Sequence, residues 1–490
     1  MTRLNIFAAA LMLVLLVSAC GRPTPINVCD SGQKPSVFPD VDSITIPVGI
    51  APINFNVDGA SYVYAHAVGS LGGNIDADGQ WADFDIEAWH SLTADNAGGE
   101  ISVEVTALDS SGVWTKYQPL VFFVSKDSLS EFGLTYRKIR PGYETYSDIG
   151  MYQRDIHSFD EFAIIEHSAL QTECMNCHVA NRCDANHFQL HVRGPHSATL
   201  FQIDGNRKLV NTKHDSTIAN CMYAYWHPSG RYCAYSLNLV TQCFWEGNTR
   251  LIEVYDRASD ALVMDVETNE LIVSDLLRTK DFESYPVFSA DGNTIYYCTS
   301  KPYMDRGILD SMRYDLCSIS FDAATGTIGS HVDTILPASL MGKSVTHPRP
   351  SYDGRYLLFS IADYSVFPIH HAEADLGIMD IATGEWRLLH EINSSRAESF
   401  HNWNTTSRWI VFNSRRYNNN NNILYIAHFG ADGRCGKPFM LPQRNPRQYY
   451  QRLMHSFNVP DFTIQKVDLD IRAFADEVYG DSRIQVGLRR

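Results

Sequence analysis

The sequence predicts an all-β chain in two parts, a small sandwich of short strands followed by a ring of repeated four-stranded sheets. Three observations carry this. Short alternating apolar and polar segments run from about residue 36 to 126, a unit recurs four times between residues 226 and 414, and Gly, Asn and Asp turns punctuate a chain with 25 Tyr, 24 Phe and 8 Trp. At 490 residues the chain exceeds one ordinary domain. Its net charge of −16 argues against nucleic acid, whose phosphates need a basic surface.

The first part reads as an immunoglobulin-like sandwich over 36–126. Its strands are Ser43-Ile44-Thr45-Ile46, Tyr62-Val63-Tyr64-Ala65, Ile101-Ser102-Val103-Glu104-Val105 and Leu120-Val121-Phe122-Phe123-Val124, with Gly- and Asp-rich turns between them. Residues 127–170 are less regular and are expected to form an extended connector.

The repeat is clearest at its turns. Trp226-His227-Pro228-Ser229-Gly230, Phe288-Ser289-Ala290-Asp291-Gly292, Pro350-Ser351-Tyr352-Asp353-Gly354 and Trp403-Asn404-Thr405-Thr406-Ser407 each lead from a strand through a tight turn into a strongly apolar strand. The turn residues Gly230, Gly292, Gly354 and Ser407 stand 62, 62 and 53 residues apart, and such turns visit positive φ. A second hairpin follows each, as at Leu376–Ile381 with Ala382-Thr383-Gly384-Glu385. Four strands per unit make the blade of a β-propeller, which cannot bury both faces unless the units stack in a ring. The repeat resembles the TolB-type propeller repeat. A degenerate unit over 186–216, with its turn at Asp204-Gly205, and a unit assembled from segments before 174 and after 446 bring the expected count to six. The propeller spans 171–455, and the tail 456–490 lacks the repeat. Asn418–Asn422 reads as an exposed loop.

The N-terminus indicates export. Arg3 precedes an apolar run from Leu4 to Val17, then Ser18-Ala19-Cys20, too short a run for a membrane span. The ending resembles the bacterial lipobox, which implies a signal peptide over 1–19, lipidation of Cys20 and a tether over 20–35. Gly21 stands where Asp would favour inner-membrane retention, so the expectation is a lipid-anchored outer-membrane protein, on the periplasmic rather than the cell-surface face. An ordinary signal peptide leaving Cys20 free is the alternative. Contact with the membrane is then through acyl chains alone.

Cys174-Met175-Asn176-Cys177-His178 fits the attachment motif of c-type haem. Two thiols reach two vinyl groups and the adjoining imidazole binds iron. The stretch from Thr172 to Asp184 reads as a turn-rich insertion before the first clear blade. The motif has two other readings. Cys174 and Cys177 could form a local disulfide, or, with Cys183 and His187, a zinc site. For a second axial ligand, His187, His191, His196, His214 and Met222 lie downstream, and His191 is the first choice. Of the remaining cysteines, Cys298 and Cys317 are the best candidates for a disulfide, since they fall on successive strands.

Together these pieces resemble a family of TolB-like lipoproteins from Gram-negative anaerobes, often labelled cytochrome c biosynthesis proteins. The matching residues are Ile46-Pro47 through Ala51-Pro52-Ile53-Asn54-Phe55, Pro141-Gly142-Tyr143-Glu144, Tyr152-Gln153-Arg154-Asp155, Cys174-Met175-Asn176-Cys177-His178, His191-Val192-Arg193-Gly194 and Tyr225-Trp226-His227-Pro228. Cys183 departs from the family's pattern. The resemblance implies an envelope scaffold that binds protein partners and carries one haem c for electron transfer or redox sensing. The alternative is a non-haem scaffold with a structural zinc or disulfide. No Gly-x-Ser-x-Gly elbow or Walker-type loop is present, so the chain is not expected to be an enzyme.

Overall fold

Each repeat turn does take up the backbone conformation that its glycine or serine allows. Gly230, Gly292, Gly354 and Ser407 have φ of 75°, 79°, 75° and 58°. The computed structural model describes residues 22–141, 148–170, 173–244, 252–302 and 309–489. Within them, six four-stranded antiparallel sheets form the blades of a propeller.

Blade 1 is built of Ser456–Thr463, Gly133–Ile139, Ile149–Asp155 and Glu161–Glu166, in order outward from the axis. The innermost strands of blades 2 to 6 are Cys174–Asn181, Met222–Trp226, Phe282–Phe288, Ser344–Pro350 and Glu398–Trp403. These six inner strands contact one another in sequence around the ring, and Cys174–Asn181 meets Ser456–Thr463 to close it. Blade 1 therefore joins a C-terminal strand to three N-terminal ones, with Leu134 opposite Phe462 and Lys138 opposite Phe457.

Three sequence expectations change here. The segment expected to be a connector supplies three strands of blade 1. The segment expected to be a tail without repeats supplies its innermost strand, because a ring must hydrogen-bond its two ends together to leave no open edge. The turn at Asp204-Gly205 lies in the outer hairpin of blade 2, between Ala198–Ile203 and Asn206–Asn211, and the inner hairpin turns at Arg182-Cys183, with φ of 48° and 68°.

The rest of the tail covers exposed edges. Asp470 caps the helix Ile471–Tyr479, which buries Phe474 and Val478, four residues apart and so on one face. Ile484–Gln485 then pairs in parallel with the outer strand of blade 2, and Gly487–Arg489 with that of blade 3. The Asn-rich loop is only partly exposed. Asn421 and Asn422 are buried, and the Asn422 carbonyl accepts from Phe457 N–H while its own N–H donates to Ser456 Oγ, which ties blade 6 to the closing strand.

The N-terminal unit is one broad sheet facing a ribbon and a helix. Ile44–Ile46 runs parallel to Leu120–Val124, which pairs with Glu100–Asp109, then Ala60–Gly69, then Asn74–Gly79. That is one full face of an immunoglobulin-like sandwich. The opposite face is reduced to the ribbon Val37–Phe38 with Asn56–Val57 and to a helix, Ile86–Asp95, which the strand pattern did not anticipate. Asp85 caps it by accepting from Ala88 N–H at 3.0 Å. Trp89 and Leu92, three residues apart, are its buried side, and Trp89 packs edge-on against Phe122 at 6.1 Å. This unit shares a continuous apolar core with blade 6. Trp409 Nε1 donates to the Asp127 carbonyl at 3.2 Å, and His428 Nε2 sits 2.7 Å from the Asp127 carboxylate.

Among the described residues all ten cysteines are free. Cys298 and Cys317 lie on paired strands but one step out of register. Cys317 stands opposite Tyr297 and Cys298 opposite Leu316, so the two thiols emerge on opposite faces of blade 4 and belong to different inter-blade cores. The expected disulfide is absent for that reason. The signal peptide over 1–19 and Cys20 lie outside the described residues, and no helix among those described is long and apolar enough to cross a membrane.

Candidate functional site

Every inner strand carries the same irregularity. The pairing register slips between Asn176 and Val179, Met222 and Tyr225, Ser284 and Val287, Thr346 and Arg349, and Ser399 and Asn402, and opposite Thr135 and Arg137 for the closing strand. Each slip is a β-bulge, and one residue in each has left-handed φ: Cys177 at 51°, Tyr223 at 50°, Tyr285 at 55°, His347 at 53°, Phe400 at 45° and Val459 at 50°. None is glycine, so each conformation is locally unfavourable and is held by the sheet around it. The next residue is Pro286, Pro348 or Pro460 in three blades. Proline is accepted here because the bulge leaves its position out of the ladder.

The six bulges circle the channel on the propeller axis. Tyr223 meets Tyr285 at 4.7 Å, Tyr285 lies against His347 at 4.1 Å, and His347 meets Phe400 at 5.6 Å. Cys177 is the member of this ring in blade 2, and His178 follows it where other blades have proline. The Cys-x-x-Cys-His motif is therefore the inner strand and bulge of a blade, not a turn-rich insertion. A sequence signal was available: Tyr223, Tyr285, His347 and Phe400 each precede their blade's turn residue by 7 positions.

His178 is 3% exposed, its ring lies 6.4 Å from Phe188, and its Nε2 meets no hydrogen-bond partner. Burial, reinforced by the Arg137 guanidinium, pulls its pKa down to about 3, so the imidazole is neutral, the form that can ligate a metal. Cys174 is buried, and burial raises its thiol pKa against the pull of Arg137 and Arg193. Arg193 Nη2 lies 3.8 Å from Cys177 Sγ and 3.0 Å from Met222 Sδ. Arg137 donates to the Asn176 side chain.

Cys177, His178, Arg137 and Asn176 border one cavity and Arg137, Asn176, Arg193 and Met222 another, while Cys174 borders neither. A narrow one of about 70 Å³ lies on the axis, walled by Cys177, His178, Arg137, Tyr223, His347, Arg349, Phe400, Asn402 and Asp461 among others. A wider one of about 470 Å³ forms the channel mouth. Its walls combine Ile139, Met222, Val240, Ile252, Val254, Phe367 and Ile369 with Arg137, Arg140 and Arg193. Much of the apolar wall comes from blade 3, whose central strands Tyr232–Phe244 and Ile252–Asp265 are unusually long. The wide cavity has the apolar walls and arginines that suit a porphyrin carrying carboxylates, and one thiol, Cys177, and the His178 imidazole line the narrow cavity that adjoins it, while Cys174 lines neither.

The zinc set is not assembled. Among the described residues no three His, Cys, Asp or Glu side chains converge to hold a metal ion. Cys183 lies at the far end of the strand from Cys174, beside the Tyr352 hydroxyl at 3.7 Å, and His187 Nε2 engages the Gly230 carbonyl at 2.9 Å. An extended strand separates residues by roughly 3.3 Å each, so sequence proximity here means opposite faces of the ring. The second-ligand expectation also changes. His191 is buried with Nδ1 3.0 Å from Thr199 Oγ1 and borders neither cavity, whereas Met222 borders the mouth. His196 and His214 are engaged locally, with Glu173 and Ser216 N–H.

No family model matches the sequence, and no curated protein is similar to it. Among solved structures, the chain is similar to TolB from Acinetobacter baumannii at 13% identity and a TM-score of 0.43, over 77% of this chain and 85% of that one. It is also similar to a putative 6-phosphogluconolactonase from Bacteroides fragilis, at 12% identity and a TM-score of 0.33, over 64% of this chain and 97% of that one. A third is hydrazine synthase from Kuenenia stuttgartiensis, at 14% identity and a TM-score of 0.30, over 51% and 63%. The assignment as an all-β propeller rests on the six closed sheets described above.

Proposed function

We propose that this chain is an envelope scaffold protein, anchored to the outer membrane through Cys20, that holds one c-type haem at the mouth of its propeller channel for electron transfer or redox sensing. The observation that carries the reading is the placement of Cys177 and His178, on one inner strand with Cys174, at the narrow axial cavity that shares Arg137, Asn176, Tyr223 and Phe367 with the channel mouth, with His178 Nε2 buried and unpartnered. Cys174 and Cys177 would hold the group covalently and His178 would ligate its iron. Arg137, Arg140 and Arg193 offer positive charge to its carboxylates. When bound, the haem supplies a one-electron centre. The protein's own part is to keep the imidazole neutral, to wall the site with apolar side chains, and to set the arginine charge that raises the potential of whatever sits beside it. The propeller faces are surfaces on which a partner protein of the envelope can dock.

The test is a haemochrome spectrum of the mature protein made in cells that attach haem c. A Soret band that remains with the polypeptide after denaturation is expected, and it is lost in Cys174→Ala/Cys177→Ala. Polypeptide from such cells whose mass shows the lipid anchor but no haem refutes the haem, while the scaffold reading remains.

A further inference from the structure

The narrow axial cavity contains an imbalance of charge of which the haem reading uses only Arg137. Arg349 projects from the inner strand of blade 5 into this cavity, over the Tyr225 ring at 5.5 Å, and its Nη1 donates to its neighbour's carbonyl, Pro348 O, at 2.9 Å. Arg137 enters from blade 1 and donates to Asn176. Among the described residues neither guanidinium has a carboxylate within ion-pair distance. One carboxylate borders the cavity, that of Asp461, and both of its oxygens are engaged. Oδ1 accepts from Asn402 Nδ2 at 2.8 Å, and Oδ2 accepts from Ala180 N–H at 3.1 Å. Enclosing two guanidinium charges against one committed carboxylate is costly unless an anion compensates.

The third element is His347, 5% exposed, in the ring of bulges. Its Nδ1 lies 3.0 Å from Thr346 Oγ1, while Nε2 borders the cavity and has no partner. With the Thr346 hydroxyl donating to Nδ1, Nε2 carries the proton and offers one more donor. Tyr223, Phe367 and Phe400 complete the wall with flat apolar surface. At about 70 Å³ the space equals the share of roughly two liquid waters.

We propose that the axial cavity is a binding site for a small planar oxyanion of three or four heavy atoms, held by Arg349, Arg137 and His347. The flat walls suit a planar anion, and the buried cations disfavour an apolar solute. The site shares Cys177, His178 and Arg137 with the haem reading, whereas Arg349 and His347 belong to it alone.

The test is calorimetric titration of the full mature chain with sodium formate at constant ionic strength set by sodium chloride, repeated with sulfate. Saturable binding of formate and none of sulfate is expected. Arg349→Met and His347→Phe each weaken formate by about tenfold or more, in keeping with loss of a charge-assisted or buried donor. Cys174→Ala, at a residue that borders neither cavity, leaves formate binding in place while breaking the Cys-x-x-Cys-His motif that the haemochrome requires, which separates the two readings. If Arg349→Met fails to fold, the wild-type titration with Arg137→Gln decides instead. Absence of saturable formate binding to the wild-type chain, or affinity unchanged in the folded variants, overturns the proposal.

Discussion

Alanine at Gly292 and alanine at Gly354 are the same substitution at the same place in two blades, yet the structure assigns them different costs. Both glycines are left-handed, with φ of 79° and 75°, and moving a residue with a Cβ into that region costs roughly 1–2 kcal/mol. At Gly354 the new Cβ would find only the Ala290 Cβ, at 3.4 Å, an ordinary contact. At Gly292 it would lie 2.0 Å from His227 Nε2. That ring cannot slide away cheaply. Its Nδ1 is 2.8 Å from Ser229 Oγ, and it packs edge-on against Phe288 at 4.9 Å and Tyr232 at 5.7 Å. Forcing extra volume into such a contact typically costs a further ~1–3 kcal/mol. Gly292→Ala should therefore be less stable than Gly354→Ala by about that margin, read as urea midpoints from tryptophan fluorescence. In a His227→Ala background the cost of Gly292→Ala should fall to that of Gly354→Ala. Equal midpoints for the two glycine variants, or no relief on removing His227, would refute the account of how neighbouring blades interlock.

Two further outcomes are expected. Asp256 is buried and accepts from Tyr314 Oη at 2.7 Å and Asn238 Nδ2 at 2.9 Å, and burial raises its pKa to about 6. A group with a raised folded pKa stabilises fully below its unfolded value of 3.8 and loses that contribution as pH rises through about 6. The difference is on the order of 3 kcal/mol. Asp256→Asn should flatten the fall in urea midpoint between pH 4 and 6.5 relative to wild type, and parallel curves would show that this carboxylate is not the source. Ending the chain at residue 455 removes the strand that pairs with Gly133–Ile139 and closes the ring. The truncated protein should lose its cooperative thermal transition in calorimetry, whereas ending it at 483, before the two parallel edge strands, should retain one at lower temperature.

The repeat was legible because its turns need residues that tolerate positive φ, and those residues recur in register from Gly230 to Ser407. Blade 1 was legible only in outline, as a unit assembled from segments before 174 and after 446. Its outer strands read as irregular, and its inner strand lies more than 300 residues away, at the other end of the chain. The helix Ile86–Asp95 was missed because an all-β reading of its neighbours outweighed a short cap signal at Asp85. The site divides in the same way. Cys174, Cys177 and His178 announce themselves by spacing, but Arg137, His347, Arg349 and Asp461 come from blades 1 and 5 and carry no motif that names them.

Local chemistry therefore decided everything that can be read over a few residues: the lipobox-like start, the blade hairpins and the cysteine motif. Ring closure decided the rest. Six inner strands brought to one axis turn their bulges into a single ring, place Cys183 and His187 too far along the blade to join Cys174, and gather two guanidinium groups around one small space. Those relations are set by how sheets pack around a centre, which no window of neighbouring residues encodes.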